Sequence, residues 1–115
     1  MTKIESLEKS ILLWDFLSEN PELSKSIAIS SIFPDEEYPI NGCFLCEYGN
    51  NLKANILDSM CNFCPVWNKK DNCEDGDSPY LAWSNSRDDK DFENVSIYAK
   101  EVANLCREAL KKEIS

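Results

Sequence analysis

Six cysteines and no histidine bound the metal and thiol chemistry open to this chain of 115 residues. Four of the six form two Cys-x-x-Cys units, Cys43-Phe44-Leu45-Cys46 and Cys61-Asn62-Phe63-Cys64, separated by residues 47–60. Such a unit folds into a tight knuckle that aims both sulfurs at one ion, so two units supply the four thiolates of a closed tetrahedral site. The intervening segment is slightly shorter than the roughly 15–20 residues usual between such pairs, but it need only return the chain to the same ion. With no imidazole available, sulfur and at most some carboxylate must hold the metal, which selects zinc, with an iron–sulfur cluster as the alternative. Zinc is the expectation, because no cluster-type run of cysteines accompanies the pairs. The expected ligands are Cys43, Cys46, Cys61 and Cys64, and the site is structural.

Cys73, in Lys69-Lys70-Asp71-Asn72-Cys73-Glu74, is a fifth thiol close enough in sequence to substitute for one of the four. Cys106 differs: it lies on an apolar stripe between Val102 and Ala109 and is expected in the core. Disulfides would be the competing use of these cysteines in an exported chain. A thiol-redox role for one Cys-x-x-Cys is the weaker reading, since such a pair normally stands alone within a βαβ pattern that this sequence lacks. Asp71, Glu74, Asp75 and Asp77 crowd around Gly76, yet their order does not match a calcium-binding loop, and a solvated acidic loop is expected. Without histidine, acid–base catalysis would need a perturbed carboxylate, thiol or lysine. A zinc ion closed by four cysteines also has no open position to activate water. The chain is therefore not expected to be an enzyme.

Twelve basic residues against 21 acidic ones give a formal net charge of -9, which opposes binding to a phosphate backbone. A protein partner is expected in place of nucleic acid. One further reading is an acidic inhibitor that imitates nucleic acid and occupies the basic groove of a nuclease or defence complex. No apolar run approaches the roughly 18 residues of a membrane span, and MTKIESLEKS has no export-signal pattern, so a soluble cytoplasmic protein is expected.

Helices must position the sulfurs. Thr2 and Glu5 have capping-box spacing, and Ile4, Leu7, Ile11 and Trp14 form a stripe that Leu12, Leu13, Phe16 and Leu17 widen. Asn20-Pro21-Glu22 resembles a second helix start and predicts a helix over about 21–32. Two prolines and Asn41-Gly42 then break the chain before the first cysteine pair. Residues 43–73 lack clean periodicity, although Leu52, Ile56 and Leu57 suit a turn or two of helix. Ser78-Pro79 starts a short apolar segment with Tyr80, Leu81 and Trp83, predicted to pack beside the metal. Phe92, Val95, Ala99, Val102, Cys106 and Ala109 predict one long helix over about 88–113, with Asp88, Asp89 and Asp91 in its first turn. Phe44, Leu45, Tyr48, Phe63, Val66 and Trp67 are expected to wrap the metal in an apolar shell.

The fold expected is thus one mostly α-helical domain, with N-terminal helices in 2–32, a zinc-bound cysteine region at 40–77 and C-terminal helices in 78–113. The elements Cys43-Phe-Leu-Cys46-Glu-Tyr48, Cys61-Asn-Phe-Cys64-Pro65-Val66-Trp67, Cys73 and Pro79-Tyr80 resemble those of small uncharacterised cysteine-rich bacteriophage proteins. The opening Leu7-Glu-Lys-Ser-Ile-x-x-Trp14 resembles their first helix. The resemblance covers residues 4 to about 83. It implies a phage accessory protein, made in the cytoplasm of a bacterial host, that binds and modulates a host protein.

Overall fold

The computed structural model describes residues 1–39, 42–52, 64–67 and 78–114, with the backbone alone at residue 52. Helix α1 (Lys3–Glu19) opens on the capping box: the Thr2 hydroxyl accepts the Glu5 N–H at 3.0 Å, and the Glu5 carboxylate accepts the Thr2 N–H at 3.3 Å. Asn20 closes α1 and does not start the next helix, contrary to its pairing with Pro21. Its backbone N–H and its side-chain amide both donate to the Phe16 carbonyl at 2.9 Å, satisfying an acceptor that the helix end leaves open. Residues 20–23 then turn, and α2 (Lys25–Ile32) begins behind Ser24, whose hydroxyl accepts the Ile27 N–H at 3.3 Å. The proline therefore sits in the connecting turn.

Helix α3 (Phe44–Leu52) starts directly at the first cysteine pair, where sequence periodicity is weak. Helix α4 (Pro79–Asp88) starts as its Ser-Pro signal predicts, with the Ser78 hydroxyl accepting the Tyr80 and Leu81 N–H groups at 3.1 and 3.3 Å. It runs on to Asp88, so that residue ends α4 and does not open the long helix. Lys90 turns the chain in the left-handed region (φ 56°), and Asp91 precedes α5 (Phe92–Ile114), accepting the Val95 N–H on its carbonyl and the Asn94 N–H on its side chain. Of the three aspartates, Asp91 alone meets the α5 N-terminus.

The protein is mostly α-helical, with a long C-terminal helix and no strand among the described residues. Its larger core cluster joins Leu13, Trp14 and Leu17 of α1, Ala28 and Ile29 of α2, Phe44 of α3, Trp83 of α4, and Val95, Ala99, Val102 and Ala103 of α5. The aromatic rings meet edge to face, Trp14 with Trp83 at 4.8 Å and Phe33 with Phe44 at 5.2 Å between centroids. A smaller cluster holds Leu7, Leu45, Cys64 and Cys106. Ile4, Leu12 and Phe92, placed on apolar stripes by their spacing, are exposed, as each stripe is broader than the contact that covers it. No helix among the described residues is long and apolar enough to cross a membrane.

Asp15 ties α1 to α5, accepting hydrogen bonds from Lys100 at 3.0 Å and from both terminal nitrogens of Arg107. Partial burial pushes its carboxyl pKa up, but the hydrogen bonds and charges of Arg107 and Lys100 outweigh this and hold it below the usual value. A lowered pKa in the folded state means that this contribution is complete above the ordinary carboxylate pKa of about 3.9 and vanishes as pH falls through the lowered value. Asp15→Asn is expected to cost less than about 1 kcal/mol at neutral pH, because all three side chains are partly solvated. The variant should also lose part of the acid dependence of the urea midpoint. Identical slopes for the two proteins below pH 4 would show that the ion pair does not act on folding.

Candidate metal centre

Gly42 sets the entry to the first cysteine pair. Its N–H donates to the Pro39 carbonyl at 2.9 Å, and its φ of +63° is one that glycine adopts without a Cβ penalty. A Cβ there would also collide with the Tyr38 hydroxyl. The tight turn aims Cys43 at the start of α3, where its sulfur does what a serine or aspartate oxygen does at other helix starts. Cys43 Sγ accepts the Cys46 N–H at 3.2 Å while the Cys43 carbonyl accepts the Glu47 N–H at 3.1 Å. A thiol cap explains why a helix starts here despite the lack of an Ser, Thr, Asp or Asn signal.

The two residues between these cysteines anchor the pair in opposite directions. Phe44, 1% exposed, enters the larger cluster, and Leu45, 2% exposed, enters the smaller one beside Leu7, Cys64 and Cys106. The knuckle is thereby fixed by burial on both sides. Cys64 is buried, and its Sγ accepts the Trp67 N–H at 3.4 Å, repeating the three-residue step at Cys43. Trp67 is half-buried and packs against both clusters, while Val66 packs against the smaller one. Of the residues expected to wrap the metal, Leu45, Val66 and Trp67 pack in or against the cluster that holds Cys64, Phe44 turns into the larger cluster, and Tyr48 is half-buried.

Electrostatics separate the sulfurs. The Cys46 thiol hydrogen-bonds to Cys43 and lowers its pKa; burial opposes this, and the Cys46 N–H, the charge of Lys25 and the Leu45 N–H add to the lowering. The result is a Cys43 pKa of about 7, so a large part of its population is thiolate at neutral pH. Cys106 goes the other way. Burial, followed by the neighbouring Cys43 and Cys64, pushes it up to about 12, so it stays a neutral thiol. It is fully buried in α5, as its place on the apolar stripe predicts.

Of the four expected ligands, Cys43 and Cys46 are brought together, and Cys43 and Cys64 share the smaller apolar cluster. Cys61 and the substitute Cys73 lie outside the described residues, as do Phe63 and the acidic loop at 71–77. Among the described residues no three Cys, Asp or Glu side chains gather as a metal site. Among the described residues, the sulfurs of Cys43 and Cys64 each accept a backbone N–H, and Cys43 is lowered toward thiolate, the form in which a cysteine binds metal. Two features of the neighbourhood escape sequence reading: Cys106 packs in the cluster that holds Cys64 and meets Cys43, and the Lys25 side chain passes beside Gly42, the residue before Cys43, on its way to the Tyr80 hydroxyl.

The fold and cysteine geometry together define a small, mostly helical protein with a thiol-capped helix at a Cys-x-x-Cys unit. Compared with known proteins, the chain matches no family model, no curated protein and no solved structure.

Proposed function

We propose that this chain is a non-enzymatic, zinc-stabilised interaction module in which Cys43, Cys46, Cys61 and Cys64 hold one structural ion. The observation that carries the reading is the repeated backbone N–H to sulfur bond three residues after Cys43 and after Cys64, with both sulfurs in one apolar cluster. N–H donors stabilise a thiolate, and a thiolate is the form that binds metal. A closed four-sulfur site would brace α3 against α1 and α5, leaving the acidic outer surface to meet a basic region of a protein partner. By its resemblance, the chain would do this as a phage accessory protein acting on a host protein.

Native mass spectrometry with elemental analysis of protein purified without added metal is the direct test. One zinc per chain, displaced when the four cysteines are alkylated, is the expected result. Iron with thiolate-to-metal absorption would redirect the reading to a cluster. Metal-free protein that stays metal-free in excess zinc would overturn it. A thiol-redox role is the second reading, favoured by Cys43 standing at a helix N-terminus with Cys46 at hydrogen-bonding distance and a lowered pKa. It requires the pair to cycle as a disulfide in the metal-free protein, which mass spectrometry after exposure to a glutathione couple would detect.

A further inference from the structure

The C-terminal end of α1 carries charge of the wrong sign for a helix end. Its last turn holds no basic residue and closes on Glu19, which adds a carboxylate to the negative end of the helix dipole. An open groove of about 550 Å³ lies between this end and α5, and Glu101 lines it together with Glu19. Ile97, also in the groove, is 49% exposed. Glu93 and Glu101 stand one helical turn before and after it, so the isoleucine lies between two exposed carboxylates on one side of α5. Among the described residues, none of Glu19, Glu93 and Glu101 pairs with a cation.

The other polar groups of the groove are already engaged. Ser96 Oγ donates to the Ser18 carbonyl at 2.5 Å and Ser18 Oγ to the Asp15 carbonyl at 2.8 Å, so both hydroxyl protons turn to the backbone. Lys100 is drawn to Asp15 at 3.0 Å, and Asn104 Oδ1 accepts Arg107 Nη1 at 3.2 Å. What remains open is an apolar side chain among unpaired carboxylates, which complements an apolar residue flanked by cations and repels an acidic chain. We propose that this groove docks a basic segment of a protein partner, with an aliphatic residue against Ile97 and lysine or arginine side chains on Glu19 and Glu101. The inference rests on the interaction-module part of the reading above and not on its zinc. The formal net charge of -9 would draw such a segment in, and the groove gives it a fixed seat.

The isotope-labelled full chain, titrated at low ionic strength with the capped peptide Lys-Lys-Leu-Lys-Lys and followed by two-dimensional NMR, tests the inference. Amide shifts centred on residues 18–20 and 96–104 are the expected result. Lys-Lys-Ser-Lys-Lys should bind about fivefold more weakly, for want of the apolar contact. Glu19→Gln with Glu101→Gln should weaken the leucine peptide by about 2–20-fold, the effect of losing two exposed ion pairs. Asp35→Asn with Glu37→Gln makes the same change in net charge at exposed positions on the segment that Glu36 ties to Lys9, and should leave affinity within about twofold. Equal losses in the two double variants would overturn the inference by assigning binding to overall charge. Shifts centred outside the groove would overturn it while leaving an interaction surface on this chain. Groove shifts that grow with protein concentration in the absence of peptide would overturn it by making the groove a contact between two copies. No shift at any peptide concentration would overturn the groove and the basic partner together.

Discussion

In a chelator strong enough to strip zinc, the protein is expected to melt about 15 °C lower while keeping most of its helical signal at 20 °C. The size follows from linkage. Free zinc at about 1,000 times its dissociation constant stabilises the bound fold by about 4 kcal/mol, and each kcal/mol moves the melting point of a domain this size by about 4 °C. Retention of helix follows from the core. Leu13, Leu17, Val95, Ala99, Val102 and Ala103 bury against one another without sulfur, so α1 and α5 do not depend on the metal. The loss should fall on 42–52 and 64–67, where hydrogen exchange ought to accelerate in chelator and Cys64→Ser ought to reproduce the chelated state. A melting curve and an exchange pattern both indifferent to chelator would remove the metal from the account.

Phe44→Ala should cost about 3–5 kcal/mol, a large part of the stability of a domain this size. The side chain is 1% exposed and sits in the larger cluster, with its ring edge-on to Phe33 and the Lys9 ammonium 5.6 Å from its centre. Truncation leaves a cavity that α1 and α5 cannot close, because their contact is already set by Leu13, Leu17, Val102 and the small Ala99 and Ala103. The same change should weaken zinc retention, since Phe44 is one of the two residues that hold the first knuckle in place. Leu12→Ala, at a residue 54% exposed, provides the contrast and should stay within about 0.5 kcal/mol. Denaturant midpoints for the two variants decide the matter: comparable losses would mean that Phe44 is not the link between the cysteine pair and the core.

Local signals were reliable where a few adjacent residues complete the interaction. The Thr2–Glu5 box and the Ser78-Pro79 start each predict a helix start that is present, since donor and acceptor lie within one turn. Asn20-Pro21 misleads because the same asparagine can cap the start of one helix or close the end of another, and the Phe16 carbonyl was the nearer partner. The aspartates at 88–91 mislead for a related reason: an acidic run marks a helix start only to within a few residues, and α4 had already taken Asp88. The start of α3 was not legible because its cap is a thiol, a residue outside the usual capping set.

For the candidate centre, the residue types alone determined what chemistry is available: cysteines in two spaced pairs and no histidine, so that sulfur is the main donor the chain offers a transition metal and imidazole acid–base chemistry is not open to it. Tertiary structure alone decided what surrounds that chemistry. It sends Phe44 and Leu45 into different clusters, lays Cys106 of α5 against Cys43 and Cys64, and brings Lys25 of α2 to the start of α3. The physical reason is range. Spacing along a chain sets which atoms meet within a turn or two, whereas the seating of α2 and α3 on α1, and of α1 and α4 on α5, depends on how whole apolar faces pack, and no local pattern encodes that.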